Sequence, residues 1–261
     1  MNPLAIAPLH AFEDNYIWLL REPPDPRVAV VDPGDADPVL AALRAQDLEL
    51  TGILLTHHHS DHTGGVAELR AAFPRAVVVA PAEPRIPAAT RRVGAGDPVH
   101  LPGFTTAFTT LFVPGHTATH VAYLGAGALF CGDTLFGAGC GRVFDGTYAQ
   151  LAASLQQLAH LPTDTQCYCA HEYTLANLGF AAWVEPESPA LAARTAETRA
   201  RRAANAPTVP ATLGLELATN PFLRTAEPAV VAAAERFAGQ RLNDPAAVFE
   251  SLRRWKDTQY D

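Results

Sequence analysis

One stretch constrains this chain more than any other. Leu54–Gly65 reads LLTHHHSDHTGG and puts five side chains able to bind a metal, His57, His58, His59, Asp61 and His62, into six positions. The apolar run GILL leads into it, so a short buried strand is predicted to end here. DHTGGVAELRAAF then turns into a helix. Alternate side chains of an extended segment share a face, so His57 and His59 point one way and His58 the other. Where the chain turns toward the helix, Asp61 and His62 come round to the same pocket. Burying four such polar groups together without a cation is costly, so the motif reads as a metal site. His58 is then a supporting or structural residue.

Three later runs end in the same residue types. TLFVPGH ends in His116, ALFCGD in Asp133 and QCYCAH in His171. Each is an apolar strand with a ligand type at or just past its end, where α/β scaffolds gather functional groups. Five imidazoles and two carboxylates suit two borderline divalent ions, Zn²⁺ first, with Fe or Mn accepted by the same donors. Each ion takes three terminal ligands, one carboxylate bridges, and water completes both shells. His120 is expected to support the ligands. Asp32 is expected to fix its Asp-Pro-Gly turn and, as a second role, to support the metals. His10, His100 and His160 carry no role.

The first two-thirds alternate strand-like runs (NYIWLL, VAVVDPG, AVVVAP, HVAYLG) with helical ones (DPVLAALRAQ, YAQLAASLQQLAHL). After His171 strand signals nearly vanish. LANLGFAAWV, SPALAARTAETRARRAANA, EPAVVAAAERFAG and DPAAVFESLRRWKD all read as helices, most with Ser, Glu or Asp and Pro at their starts. A mixed α/β part therefore gives way to a helical part near residue 172. Apolar residues at 48% and charged residues at 18% describe an ordinary globular chain. The formal charge of −8 argues against a nucleic-acid surface, which needs a basic footprint. The N-terminus lacks a signal-peptide pattern, and no apolar run reaches 18 residues, so a cytoplasmic chain with no membrane partner is expected. Cys131, Cys140, Cys167 and Cys169 read as free thiols, the last two on one face of a buried strand. No apolar interface stripe stands out, so a monomer is expected.

These residues carry a resemblance. THHHSDH matches the T-H-x-H-x-D-H signature of the metallo-β-lactamase superfamily, and within it the chain closely resembles the glyoxalase II (hydroxyacylglutathione hydrolase) family. The likeness runs through AFEDNYIWLL near the start, GHTATH at 115–120, CGDTLFGAGCGRVFDGT at 131–147, AHEYTLANLGFA at 170–181, TNPFLR at 219–224 and RRWKD at 253–257. It implies an α/β (α+β) fold, a four-layer αββα sandwich followed by a C-terminal helical domain. A metal-binding catalytic domain over 1–172 and a helical glutathione-binding domain over 173–261 follow from it. It also assigns His57, His59 and His116 to one metal and Asp61, His62 and His171 to the other, with Asp133 bridging them.

The implied substrate is S-D-lactoylglutathione, hydrolysed to D-lactate and glutathione in the second step of methylglyoxal detoxification. A hydroxide held between the metals is the expected nucleophile, oriented by Asp61 and Asp133, and a metal stabilises the oxyanion. A thiolate leaves easily, so a strong general acid is not obligatory. Lysine occurs once among nineteen basic residues, at Lys256, three after Arg253 on the last predicted helix. The resemblance gives this pair the glycine carboxylate of glutathione, Tyr173 its backbone, and Arg142 a place at the mouth of the site. Some members have lysine where this chain has Arg142 and tyrosine where it has Phe144. The rivals are a glutathione-persulfide dioxygenase on the same fold using one iron, a nuclease relative, and a non-catalytic scaffold. About ninety residues after His171 favour the hydrolase over the first, and the acidic charge counts against the second.

Overall fold

The computed structural model describes residues 4–260. The outermost positions of the two expected domains, 1–3 and 261, lie outside the described residues. The chain forms two compact units, one from Met1–Phe112 and Thr119–Gly132, the other from Val113–Ala118 and Asp133–Asp261.

The first unit opens with β1 (Ala5–Ala11), β2 (Asn15–Arg21), β3 (Arg27–Val31), α1 (Asp37–Gln46), β4 (Glu49–Leu54), α2 (Ser60–Thr63), α3 (Val66–Ala72), β5 (Val77–Pro81) and β6 (Arg91–Val93). The six strands form one sheet in sequence order, antiparallel from β1 to β3 and parallel from β3 to β6. Parallel neighbours need crossovers; α1 and the α2–α3 segment supply the first two, and the loop over 82–90 makes the third. Val28, Val30, Ile53 and Val78 pack with Val39 and Leu43 of α1 and Leu69 of α3 in one buried cluster. This is why β3 to β5 read as near-continuous apolar runs. Two glycines break the expected long helix after the histidine motif into α2 and α3.

The parallel register does the positioning. Val31 pairs with Leu54, so β3 and β4 end side by side, and Asp32 emerges next to the histidine motif at the carboxyl edge of the sheet. Asp32 adopts φ 51° and donates its N–H to Leu54 O at 2.9 Å. Two residues on, Gly34 lies against the motif so closely that a Cβ there would sit 1.8 Å from Asp61 O. The unit continues as an antiparallel run of β7 (Pro98–His100), β8 (Ala107–Phe112), β9 (Val121–Gly125) and β10 (Ala128–Gly132). The β9–β10 hairpin turns through Ala126 and Gly127, both at positive φ, as a two-residue type I′ loop requires.

The second unit holds the ribbon β11 (Leu135–Phe136) and β12 (Gly139–Cys140), then α4 (Tyr148–Ala159), β13 (Gln166–Cys169), α5 (Thr174–Val184), α6 (Pro189–Ala203), β14 (Ala211–Thr212), α7 (Leu213–Thr219), α8 (Pro228–Ala238) and α9 (Pro245–Trp255). A π-helical turn, Lys256–Tyr260, closes it. Caps set the starts. Thr147, Ser188, Thr212 and Asp244 each accept from a backbone N–H three residues on, and proline opens α6, α8 and α9. Among the described residues no helix is long and apolar enough to cross a membrane.

The loop between Asp133 and Arg142 is fixed by side chains from the helices. Glu216 Oε2 accepts from Ala138 N at 2.8 Å, Asn177 Nδ2 donates to Gly137 O at 3.0 Å, and Asn220 Nδ2 donates to Gly139 O at 2.9 Å. Arg253 Nη1 donates to Cys140 O at 3.0 Å. Buried Arg194 donates to Glu216 Oε1, which compensates that carboxylate's charge. β13 buries Cys167 and Cys169 on one face, as alternation predicts.

Glu22, at the end of β2, generates a pH prediction. Burial pushes its carboxyl up, but hydrogen bonds from Thr106 and Thr105, each donor at 2.8 Å, outweigh this and hold it at about 2 against 4.5. A depressed folded-state value stabilises above the unfolded value, and that stabilisation is lost as pH falls through the folded value. Glu22→Gln is therefore expected to be less stable than wild type at neutral pH, with the gap closing between pH 4.5 and about 2. Denaturant unfolding across that range measures it, and a gap constant with pH refutes it.

Candidate metal centre

Each unit gathers its own set of donors. In the first, Thr56 is the key. Its N–H donates to Asp32 Oδ1 at 2.8 Å and its hydroxyl to Asp32 Oδ2 at 2.7 Å. The hydroxyl oxygen, 3.1 Å from His57 Nδ1, therefore accepts the proton of that nitrogen. His57 is left with a bare Nε2, which faces His59 Nδ1 at 3.0 Å. This tautomer follows from the network. His62 is held similarly: Nδ1 lies 3.2 Å from Asp32 Oδ2, and Nε2 lies 3.3 Å from Asp61 Oδ2. Asp32, His57, His62 and His120 are all buried, and His120 stacks on His57 at 4.7 Å between centroids. His58 meets its neighbours ring to ring, edge-on to His57 at 6.3 Å and to His59 at 4.8 Å.

In the second unit, Gly115 turns the chain at φ 143° in a place where a Cβ would lie 2.4 Å from Leu151 of α4. The turn delivers His116, whose Nδ1 donates to Arg142 O at 2.8 Å. In the neutral ring Nε2 is then the unprotonated nitrogen, 3.5 Å from Asp133 Oδ2. The other oxygen, Asp133 Oδ1, lies 3.4 Å from His171 Nε2. One carboxylate thus shows its two oxygens to two different imidazoles. The His171 ring stacks on Tyr173 at 4.8 Å and 5°, and Phe144 meets His116 edge-on at 5.2 Å.

These approaches fit a divalent cation. Zn–N bonds of about 2.0–2.1 Å in a tetrahedron separate neighbouring donor atoms by roughly 3.3 Å. Donor pairs in either unit lie between 3.0 and 3.5 Å. In neutral His116 the only ring proton is committed to a carbonyl, so its second nitrogen and Asp133 are two acceptors facing each other. A cation beside them removes that conflict.

The expected substrate residues lie in the second unit. Arg142 is about half exposed, with Nε 3.8 Å from Asp257 Oδ1. Arg253 is 1% exposed: Nη2 lies 2.9 Å from the same oxygen, and its guanidinium sits 5.3 Å over Phe222. α9 ends at Trp255, so Lys256 opens the π turn instead of continuing the helix face. Lys256 is also buried, with Nζ 6.0 Å over the Tyr260 ring. Neither is a solvated surface charge. The sequence reading missed Asp257, although it lies inside RRWKD, and Glu172, whose carboxylate accepts from Thr208 N at 2.8 Å and from Thr208 Oγ1. All four cysteines are free and buried. Burial raises Cys140 to about 11, against the pull of Arg253, and Cys169 to about 12, so neither is a ready nucleophile. His10, His100 and His160 are exposed.

The metallo-beta-lactamase superfamily model matches residues 12–171, and the hydroxyacylglutathione hydrolase C-terminus model matches 172–259. The chain is 54% identical to the hydroxyacylglutathione hydrolase of Alkalilimnicola ehrlichii, over 97% of this chain and 98% of the relative. Among solved structures it is similar to TTHA1623 in a di-iron-bound form, 26% identical with TM-score 0.59, covering 84% of this chain and 100% of that one. It is also similar to the BLEG-1 B3 metallo-beta-lactamase, at TM-score 0.62 and 22% identity, covering 84% of this chain and 99% of that one, a likeness that shows the fold alone. The expected α+β metallo-β-lactamase fold with a helical C-terminal region is what the chain has.

Thr56→Val keeps the volume and removes the hydroxyl that holds His57. Loss of such support lowers metal affinity by about 10- to 100-fold. Competition between the zinc-loaded protein and a chromophoric chelator measures this, and unchanged affinity would show that Thr56 only fills space.

Proposed function

The chain belongs to the hydroxyacylglutathione hydrolase family of the metallo-β-lactamase superfamily, and from that premise we propose that it hydrolyses the thioester S-D-lactoylglutathione at a binuclear metal centre. The observation that carries the reaction is identity of 54% with a hydroxyacylglutathione hydrolase across nearly the full length of both chains.

In this reading His57, His59 and His116 hold one ion, Asp61, His62 and His171 hold the other, and Asp133 is shared. Asp133 supports it by offering its two oxygens to different imidazoles, and the bare Nε2 atoms of His57 and His116 support it as ready donors. Zinc is the first metal to test. A relative solved in a di-iron-bound form supports iron as the second. When bound, two such ions supply a hydroxide nucleophile at neutral pH and a Lewis acid for the thioester carbonyl.

The chain's own residues do the rest. Asp61 and Asp133 contribute the carboxylate charge that draws the ions and orients the nucleophile. Thr56, Asp32 and the carbonyl of Arg142 keep the ring protons on the nitrogens that do not bind metal. The leaving thiolate is stable enough to depart without a dedicated acid. Residues 1–172 are the metal-binding part in this reading, and 173–261 the substrate-binding part. Arg142, Tyr173, Arg253 and Lys256 hold glutathione, Arg253 and Lys256 through its glycine carboxylate. Arg253 is already bonded to the Cys140 carbonyl and lies beside Asp257, so it also fixes the loop that carries Arg142.

The zinc-loaded protein is expected to consume S-D-lactoylglutathione, seen as loss of thioester absorbance under anaerobic conditions. No turnover with both ions bound would sink the reading, and oxygen uptake with glutathione persulfide would support the dioxygenase instead. Lys256→Ala removes one charge-assisted contact, worth about 1.5–3 kcal/mol. It is expected to raise KM by roughly 10- to 100-fold and leave kcat nearly unchanged. An unaltered KM would separate Lys256 from the substrate.

A further inference from the structure

The β1–β2 turn carries more than a change of direction. It runs through Phe12, which is 61% exposed and held at φ 52°, a conformation that a bulky side chain rarely adopts. Such backbone strain persists where the surrounding structure imposes it, and it gathers at functional sites. The turn delivers Asn15, the first residue of β2, with its side chain buried. Asn15 Nδ2 donates to Asp61 Oδ2 at 3.2 Å and to Asp61 O at 3.4 Å. Both partners are oxygens, so the amide nitrogen is the atom that must face them, which fixes the orientation of the group.

Asp61 needs such a partner. Its side chain is 40% exposed, the more exposed of the two carboxylates in the proposed ligand set, and it belongs to a helix of only four residues. Gly34 holds its backbone from one side. Asn15 holds both its backbone carbonyl and its carboxylate from another. Oδ2, the oxygen bound to Asn15, is also the one 3.3 Å from His62 Nε2. A carboxylate oxygen has two lone pairs, so it can accept from the amide with one and offer the other to a cation beside His62.

We propose that Asn15 is the positioning residue for Asp61, and so sets the affinity of the one ion that Asp61 and His62 share. The inference rests on the binuclear reading above. An amide suits the task because it is neutral. A lysine or arginine at position 15 would align the carboxylate and also cancel the charge that attracts the cation. An aspartate would repel it.

The test is metal binding by the full chain, stripped of metal and titrated with Zn²⁺ against a chromophoric chelator. Wild type is expected to bind two ions. Asn15→Ala is expected to bind one ion as wild type does and the other about 10- to 100-fold more weakly. Far-UV circular dichroism checks that the variant folds, and Asn15→Ser takes its place if it does not. Two ions held with wild-type affinity, or both ions weakened alike, overturns the role of Asn15 while leaving the binuclear reading intact. A wild-type chain that binds fewer than two ions overturns the binuclear reading itself.

Discussion

The metal-ligand architecture depends on where the imidazole protons go. A neutral histidine has one ring proton, and whichever nitrogen keeps it cannot bind a metal. In the first unit the Asp32 carboxylate accepts a hydrogen bond from the Thr56 hydroxyl, Thr56 accepts one from His57 Nδ1, and Asp32 faces Nδ1 of His62 as well. In the second unit a backbone carbonyl, Arg142 O, accepts the hydrogen bond from His116 Nδ1. Different chemistry solves the same problem in each unit. The carboxylate serves two rings because the parallel register sets it beside them. The carbonyl serves one because the 134–141 loop is held in place. Carboxylate and carbonyl partners of this kind tune ligand basicity as well as ring orientation.

That loop explains why so much buried polarity is tolerated in the helical region. Glu216, Asn177, Asn220 and Arg253 all bond its backbone. Each is an unusual core residue, because burying an unpaired amide or charge is costly. Each is paired here. The return is a short irregular segment with both ends fixed, one carrying Asp133 and the other Arg142. The helical region therefore acts, through this loop, on the candidate metal ligands Asp133 and His116. A substitution at Glu216 would reach Asp133 through Ala138 without touching any ligand.

Much of this was legible in the sequence, for a definite reason. His57 and His59 were singled out by alternation, although β4 ends at Leu54 before them, and His116, Asp133 and His171 by apolar runs that end in a ligand type. Both are local signals. Helices α1, α4, α5, α6, α8 and α9 also announce themselves through spacing and through proline or polar starts. β1 did not, because Pro8 and a half-exposed alternation disguise it. α7 did not, because it is a seven-residue helix containing glycine. Residues that act through distant partners were hidden as a class. Asn15 and Asp61 are 46 positions apart, and Arg253 and Cys140 are 113 apart. Asp32 was half legible: its turn could be read, but its hold on Thr56 and His62 requires knowing that β3 and β4 are neighbours.

Charge ties the two roles of the chain together. Asp32, Asp61 and Asp133 place three carboxylates among the ligands and their immediate supports. In the proposed binuclear reading, two divalent cations would outweigh these three carboxylates by a single positive charge, which would favour an anionic nucleophile and a developing oxyanion. The substrate residues repeat this restraint. Arg142 and Arg253 both approach one oxygen of Asp257, so the cationic patch that the proposed reading assigns to glutathione is partly compensated from within. Desolvating the buried Arg253 guanidinium would be costly without that carboxylate. The net charge of −8 is therefore no obstacle to an anionic substrate. In the proposed reading, binding is governed by local charge rather than by this total, with Arg253 and Lys256 supplying it.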